Sequence, residues 1–291
     1  RIKRNYAFDR ARVHLPVTAK TGVMMVQSAR AWAYVASHLR SHTLKELVVL
    51  GSQISEALSL GAPRLTKHTQ PTMAHGKCID NEFVILLGQA SLYEKSVSEF
   101  QFSDNDCLVP QTFLKVNDLF ENEDDLKNSL QFRENRYSIF GNVAQRMSVT
   151  FSWMGISFGE IRDLNRHRTG NRYTNMVPLG FYDAVDELEG INNISCEVIR
   201  NASNDCKEDS KYSRSILLNN CSRYIYFTKL GTQYYFEHST QVDKFIYEME
   251  LRTGVGSHYK YAEHCKEMLV RWYEMYPGTK GMIFEGSAEP E

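Results

Sequence analysis

No hydrophobic run in this sequence approaches the ~20 residues that a membrane-spanning helix needs, so a spanning segment is not expected. Neither sign of charge is in excess. Thirty-four Lys and Arg meet 35 Asp and Glu, for a formal net charge of −1. No global basic field is therefore available for nonspecific nucleic-acid binding, and nucleic acid is not an expected partner. A local basic site for one phosphate or one dinucleotide stays open. The cysteines (Cys78, Cys107, Cys196, Cys206, Cys221 and Cys265) never fall in CxxC spacing, so no zinc site is read from them. Their even number permits disulfides, but a chain this long does not need them. Reduced thiols in a cytoplasmic protein are the expectation. The acidic run from Asn117 to Asp125 lacks the alternating oxygen ligands of a calcium loop and reads as a solvated helix start or loop. Gly254-Val255-Gly256 lacks the strand–turn–helix setting of a dinucleotide fingerprint. No secretory segment is visible, although a chain that opens at Arg1, in mid-domain and without Met, could have lost one. Asn193, Asn201 and Asn220 each begin a glycosylation sequon, a pattern that also arises by chance.

What is present is an ordinary globular balance. Hydrophobic residues make up 42% and charged residues 24% of 291, enough for one large domain or two smaller ones. Aromatics reach 12%, which favours packed interfaces and is weak evidence for ring stacking. Residues 21–40 carry a Val23, Val26, Ala29, Ala33, Ala36 stripe that predicts a helix. Residues 43–60 predict a second, with Thr43 as N-cap, Glu46 completing a capping box and Gly61 as the stop. The Pro- and Gly-containing stretch from Gly61 to Gly76 reads as a linker. Residues 82–100 fit a helix, or a strand and a helix. Residues 147–154 alternate as a half-buried strand, and 158–165 form a short helix after it. Asn201 to Ser210 is polar and is read as a loop, with helices over 238–252 and 257–276.

That short helix ends on Arg166-His167-Arg168. Two guanidiniums flank an imidazole within three residues. Like charges repel, so such a cluster is costly without a partner, and an anionic ligand would offset the cost. A bare RHR tripeptide is more often a solvated turn, and its surroundings decide between the two readings. Val149-Thr150-Phe151, Gly155-Ile156-Ser157 and Leu164 precede the tripeptide. Near the start stand Ala11-Arg12-Val13-His14-Leu15-Pro16, Ser28-Ala29-Arg30-Ala31-Trp32, Leu39-Arg40, His42 and Glu46-Leu47. A looser version recurs late: Ser222-Arg223-Tyr224, Leu230-Gly231-Thr232, Leu251-Arg252 and the stretch SHYKYAEHCKEML.

In these spacings the chain resembles the flavin-dependent thymidylate synthase family. The resemblance implies an α+β fold with a mixed sheet and long helices. It implies a partial repeat over 1–70, like the C-terminal half of the family domain, before a full copy over 75–291. It places Arg166, His167, Arg168 and Asn171 against FAD, and Arg12, Arg30, Arg40 and Arg252 against the nucleotide, with no catalytic nucleophile assigned. Family enzymes are homotetramers whose subunits share active sites, so a homo-oligomer is expected. The chain departs from the pattern at three nucleotide-holding positions: the family's serine falls on Met176, an arginine on Pro178, and a Gln or Glu on Asp163. Methionine cannot donate the hydrogen bonds that serine gives a phosphate.

Three readings of function remain at this point. One is reductive methylation of dUMP to dTMP, with methylenetetrahydrofolate and NADPH as co-substrates and FAD as cofactor. Another is flavin-dependent methylation or hydroxymethylation of a different pyrimidine nucleotide. The last is a non-catalytic relative that serves as a binding or assembly protein.

Overall fold

The computed structural model describes residues 2–102, 107–117, 122–185, 193–254 and 257–286. Their chain contacts divide into two compact units. One comprises Arg1–Pro16, Ser98–Lys211 and Lys229–Glu291, and the other Val17–Val97 with Tyr212–Thr228. This division differs from a boundary near residue 70, because Val13 buries its side chain with Phe181 and Tyr182 of the first unit.

The first unit is built on a sheet in the order β1 (Gln111–Asn117), β2 (Ser148–Ser157), β5 (Thr232–Gln241) and β3 (Asn171–Thr174). The short β4 (Gly180–Phe181) also pairs with β5. Helices pack on the sheet, and the class is α+β. Every described strand pairing is antiparallel, which corrects the expected mixed sheet. Period-two alternation puts Val149, Phe151 and Trp153 of β2 on one face. Tyr234, Phe236 and His238 of β5 stand beside them, in a register that pairs Phe151 with His238 and Trp153 with Phe236. All six are at most 1% exposed.

Two helices close this face, α9 (Val242–Arg252) and α10 (Tyr259–Met275). They contribute Phe245, Ile246, Met249, Met268 and Trp272 to the same core. Phe245 meets Phe151 and Trp272 at ring-centroid distances of 5.2 and 5.3 Å. Each such side chain stabilises by roughly 1.5–3 kcal/mol on burial. β2 carries a bulge where the register shifts between Met154 and Ile156. Gly155 makes the bulge possible, at φ +98° with Leu108 only 3.0 Å from where a Cβ would sit. The buried amide of Gln233 satisfies the disrupted ladder. It donates to the carbonyls of Leu108 and Gly155 at 2.8 and 2.6 Å and accepts from Leu108 N at 2.9 Å.

The second unit holds α2 (Ala29–Arg40), α3 (Lys45–Gly61), a 3₁₀ segment over Pro63–Thr69 and α4 (Met73–Ser96). Several expectations change here. Helix α2 begins at Ala29, because Ser28 caps it by accepting from Ala31 N. Val23, Met24, Met25 and Val26 precede it in irregular backbone and are 60–90% exposed. No capping box forms at α3: Leu44 is its N-cap, and Leu44 N is satisfied by His42 Nδ1 at 3.0 Å. The expected linker is the ordered 3₁₀ segment, pinned by a Ser55–Thr69 hydroxyl contact of 2.5 Å with both residues buried. Residues 82–96 are all helix.

The polar run 201–210 lies inside the long helix α8 (Asn193–Leu218). Its buried positions, Ser203, Cys206, Lys207, Ser210, Ser213 and Leu217, follow helical spacing. Most are small or polar and bond to distant parts of the chain, as Ser203 Oγ does with His14 Nε2 and Ser210 Oγ with the Gly180 carbonyl. Residues 238–241 complete β5 rather than opening a helix. Positions 118–121 of the acidic run, and Val255-Gly256, lie outside the described residues. Among the described residues no helix is long and apolar enough to cross a membrane, and no His, Cys, Asp or Glu group could hold a metal.

Candidate functional site

The signature sits where a well-capped helix ends beside the sheet. Helix α7 (Phe158–Leu164) starts with a complete capping box: Ser157 Oγ accepts from Glu160 N, and Glu160 Oε2 accepts from Ser157 N at 2.9 Å. Glu160 is buried. Burial alone would raise its pKa, but His264 Nε2 at 3.2 Å, with His258 and the Ser157 hydroxyl, outweighs burial and lowers it to about 2. A fixed α7 carries Arg166, His167 and Arg168 into a turn that closes at Gly170. That glycine has φ +69°, and a Cβ there would stand 2.1 Å from the carbonyl oxygen of Ser239. Only a glycine lets the turn approach β5 so closely. The buried ring of His238 on β5 then donates through Nε2 to the Thr169 carbonyl at 2.7 Å.

His167 is held from the helix side. Arg252 Nε donates to His167 Nε2 at 2.8 Å. Arginine has no acceptor, so that nitrogen carries no proton. The same nitrogen lies 3.8 Å from Glu248 Oε1, which is too long for a hydrogen bond. Burial, reinforced by Arg252, His238 and Arg172 and opposed by Glu248, pushes the His167 pKa down to about 4. The imidazole is thus neutral near pH 7, and the signature carries two charges.

Arg166 and Arg168 are exposed. Arg166 Nη2 meets Asp163 Oδ1 at 3.2 Å, and Arg12 Nη2 meets the other oxygen of that carboxylate at 3.3 Å. Arg12 also pairs with Asp9 at 2.9 Å. The structure thereby brings Arg12 to the helix that bears the signature, through the acid at a position that departs from the family pattern.

The signature borders a cleft of about 680 Å³. Five cationic side chains line it, Arg136, Arg166, Arg168, Lys244 and Arg252, against the single carboxylate of Asp243. Lys244 pairs with Asp243 at 3.0 Å. Tyr137, Phe140 and Tyr247 supply aromatic surface. This donor set suits an anionic ligand with a planar ring, the chemistry of a flavin dinucleotide or a nucleotide. Of the expected FAD residues, Arg166, His167 and Arg168 line the cleft, while Asn171 begins β3, exposed and opposite Ser239.

Of the expected nucleotide residues, Arg252 lines the cleft with the signature. Arg30 and Arg40 belong to the second unit. Arg30 is exposed on α2, and Arg40 Nη1 bonds the Thr69 carbonyl at 2.9 Å and thereby ties α2 to the 3₁₀ segment. Met176 has φ 50° and packs against the core, and Pro178 is buried. Sequence reasoning missed Arg136, Tyr137, Lys244 and Tyr247. The two on α9 share a helical face with Arg252 (positions 244, 247, 251 and 252), a signal available from spacing alone. The 131–140 segment has no periodicity that could have marked it.

No protein-family model matches this sequence, and no curated protein matches it. Solved structures share a likeness with it, three of them as follows. Thymidylate synthase ThyX from Helicobacter pylori with FAD and dUMP is 14% identical, with a TM-score of 0.38 over 58% of this chain and 97% of that one. A second structure described as flavin-dependent thymidylate synthase ThyX from the same organism is 15% identical, with a TM-score of 0.39 over 62% and 100%. The UMP/dUMP methylase PolB from Streptomyces cacaoi, bound with 5-Br UMP, is 14% identical, with a TM-score of 0.44 over 62% and 97%.

Proposed function

We propose that this chain is a flavin-dependent enzyme of the thymidylate synthase type, which methylates dUMP reductively to dTMP with methylenetetrahydrofolate and NADPH. One observation carries the reading: Arg166, His167 and Arg168, the residues of the family-like signature, converge with Arg252 on a single cationic cleft. Arg166 and Arg168 would hold phosphoryl groups of FAD, with Asn171 at the edge of that site. Bound flavin supplies the hydride chemistry. The neutral His167, oriented by Arg252, offers a hydrogen-bonding edge without a third positive charge. Arg252 would also face negative charge developing on a pyrimidine carbonyl. Arg12, Arg30 and Arg40 are proposed for the nucleotide on the sequence resemblance alone. The partial repeat over 1–70 and the full copy over 75–291 are likewise proposed on the sequence resemblance alone.

A homo-oligomer belongs to the same proposal. Val23, Met24, Met25 and Val26 expose apolar surface in succession, which supports a contact with a second copy of the chain.

Two observations favour a changed pyrimidine nucleotide as a second reading. Asp163 is occupied by Arg12 and Arg166, and Met176 and Pro178 bring no side-chain donor.

The visible absorption spectrum of purified protein, after FAD is added and excess removed, is the first test. Retained flavin bands are expected, and a colourless protein refutes both catalytic readings in favour of a binding or assembly protein. dUMP-dependent tritium release from pyrimidine C5 is expected on the first reading, whereas activity with another nucleotide alone moves the assignment to the second. Arg168→Ala should weaken flavin retention much more than Arg223→Ala in the second unit; equal, wild-type occupancy in both would remove Arg168 from the site.

A further inference from the structure

Arg136 is 9% exposed, and its Nη1 has no hydrogen-bond partner. Its Nη2 donates to the Tyr137 hydroxyl at 2.6 Å, and the guanidinium lies 4.8 Å from the centre of the Tyr137 ring. Among the described residues no carboxylate pairs with it. The contrast with Arg133, three positions earlier, is direct. Arg133 gives two parallel bonds to Glu250, at 2.8 and 2.7 Å. A guanidinium withdrawn from water and left without a counter-charge is costly. Its neighbours in the cleft, Arg166, Arg168 and Lys244, raise that cost further.

The turn that presents Arg136 is built rather than loose. Ser138 Oγ accepts from the backbone N–H groups of Glu134 and Asn135, at 3.1 and 3.2 Å. Asn135 Oδ1 accepts from Tyr137 N at 2.9 Å. The Arg133–Glu250 pair anchors the segment to α9, the helix that also carries Lys244 and Arg252. Tyr137, 69% exposed, stands at the lip. A desolvated cation on a fixed turn, bordering a cleft rich in positive charge, lacks one thing: an anion that arrives with the ligand.

We propose that Arg136 is a phosphate-contacting residue of this cleft, whose planar guanidinium takes a phosphoryl oxygen of the bound dinucleotide. The inference deepens the flavin reading and rests on it for the identity of the ligand. Arginine suits the position because its fork can bond a phosphate while one arm stays on Tyr137.

The test is titration of FAD and of riboflavin, which lacks phosphate, into wild type, Arg136→Lys and Arg136→Ala, followed by flavin fluorescence, with thermal melts to confirm folding. Arg136→Ala should lose about tenfold or more in FAD affinity, the loss expected for one charge-assisted hydrogen bond, while riboflavin binding stays unchanged. Arg136→Lys, which keeps the charge but not the fork, should fall between, and it decides the matter if the alanine variant does not fold. FAD affinity within about twofold of wild type in a folded variant overturns the proposal, as does a parallel loss of riboflavin. If the wild type binds no FAD, the flavin reading fails by itself, and calorimetric titration with ADP then decides Arg136. Loss of ADP binding in the variant supports the phosphate contact, and no difference from wild type, or no binding to either, overturns it.

Discussion

The Arg133–Glu250 pair offers the sharpest test of how this unit is held together. Both side chains are at most 1% exposed. One carboxylate oxygen accepts from Arg133 Nη1 at 2.8 Å and from Phe284 N at 3.0 Å, and the other accepts from Arg133 Nη2 at 2.7 Å. The guanidinium lies 3.9 Å from the Phe140 ring centre, so its remaining surroundings are apolar. Glu250→Gln keeps the shape but removes the charge and turns one acceptor into a donor that faces another donor. A buried guanidinium then loses its counter-ion, at a cost of about 3–5 kcal/mol. In a unit of this size that corresponds to a fall in Tm of about 6–20 °C. Guanidinium chloride denaturation followed by near-ultraviolet circular dichroism would measure it. A loss below about 1 kcal/mol would refute the reasoning, because it would mean that the site is wet or the pair is not formed. The double change Arg133→Met with Glu250→Leu sharpens the test: it removes both charges and should recover most of the stability, since neither desolvation cost remains.

Protonation of His167 should make the unit acid-sensitive. Its folded pKa of about 4 lies below the 6.5 of the free side chain, so the unfolded chain binds the proton first. The associated stability is complete above about pH 6.5 and is lost as pH falls toward 4, by up to roughly 3 kcal/mol. His258, also lowered by burial, acts in the same direction, and Glu160 adds a further loss between pH 4.5 and about 2. Denaturation midpoints of wild type and His167→Gln at pH 7.5, 5.5 and 4.5 check this, and identical pH dependence would rule the His167 contribution out. Gly170→Ala should cost at least about 2 kcal/mol, because it combines a left-handed backbone with a Cβ driven into the Ser239 carbonyl. Wild-type stability for that variant in urea would mean that the signature turn does not approach β5 as described.

Much of the site was legible in the sequence because it depends on local order. The alternation over 147–154 reflects which face of β2 meets a core, and the short helix after it follows from Ser157 and Glu160 spaced as a capping box. The signature needs only contiguity, so its three residues could be found by reading along the chain. The misreadings have equally specific causes. The polar run over 201–210 concealed a helix whose buried face is largely serine, and such a face leaves no apolar stripe. The Val23–Val26 run looked helical by spacing, but Ser28 caps the helix later, and among the described residues those side chains stay 60–90% exposed.

Sequence by itself determined the α+β class, the strand and capped helix that carry the signature, and the identity of four residues that border the cleft, Arg166, His167, Arg168 and Arg252. Tertiary structure alone decided that His167 is neutral, since burial and the Arg252 bond set its protonation. It alone joined Asp163 to Arg12, 151 positions away in the chain, and Arg133 to Glu250, 117 positions away. It alone left Arg136 withdrawn from water and without an acid. Periodicity reports which way a side chain faces on its own element. Charge, desolvation and pairing depend on what the other elements bring to meet it, and that information lies in no short stretch of sequence.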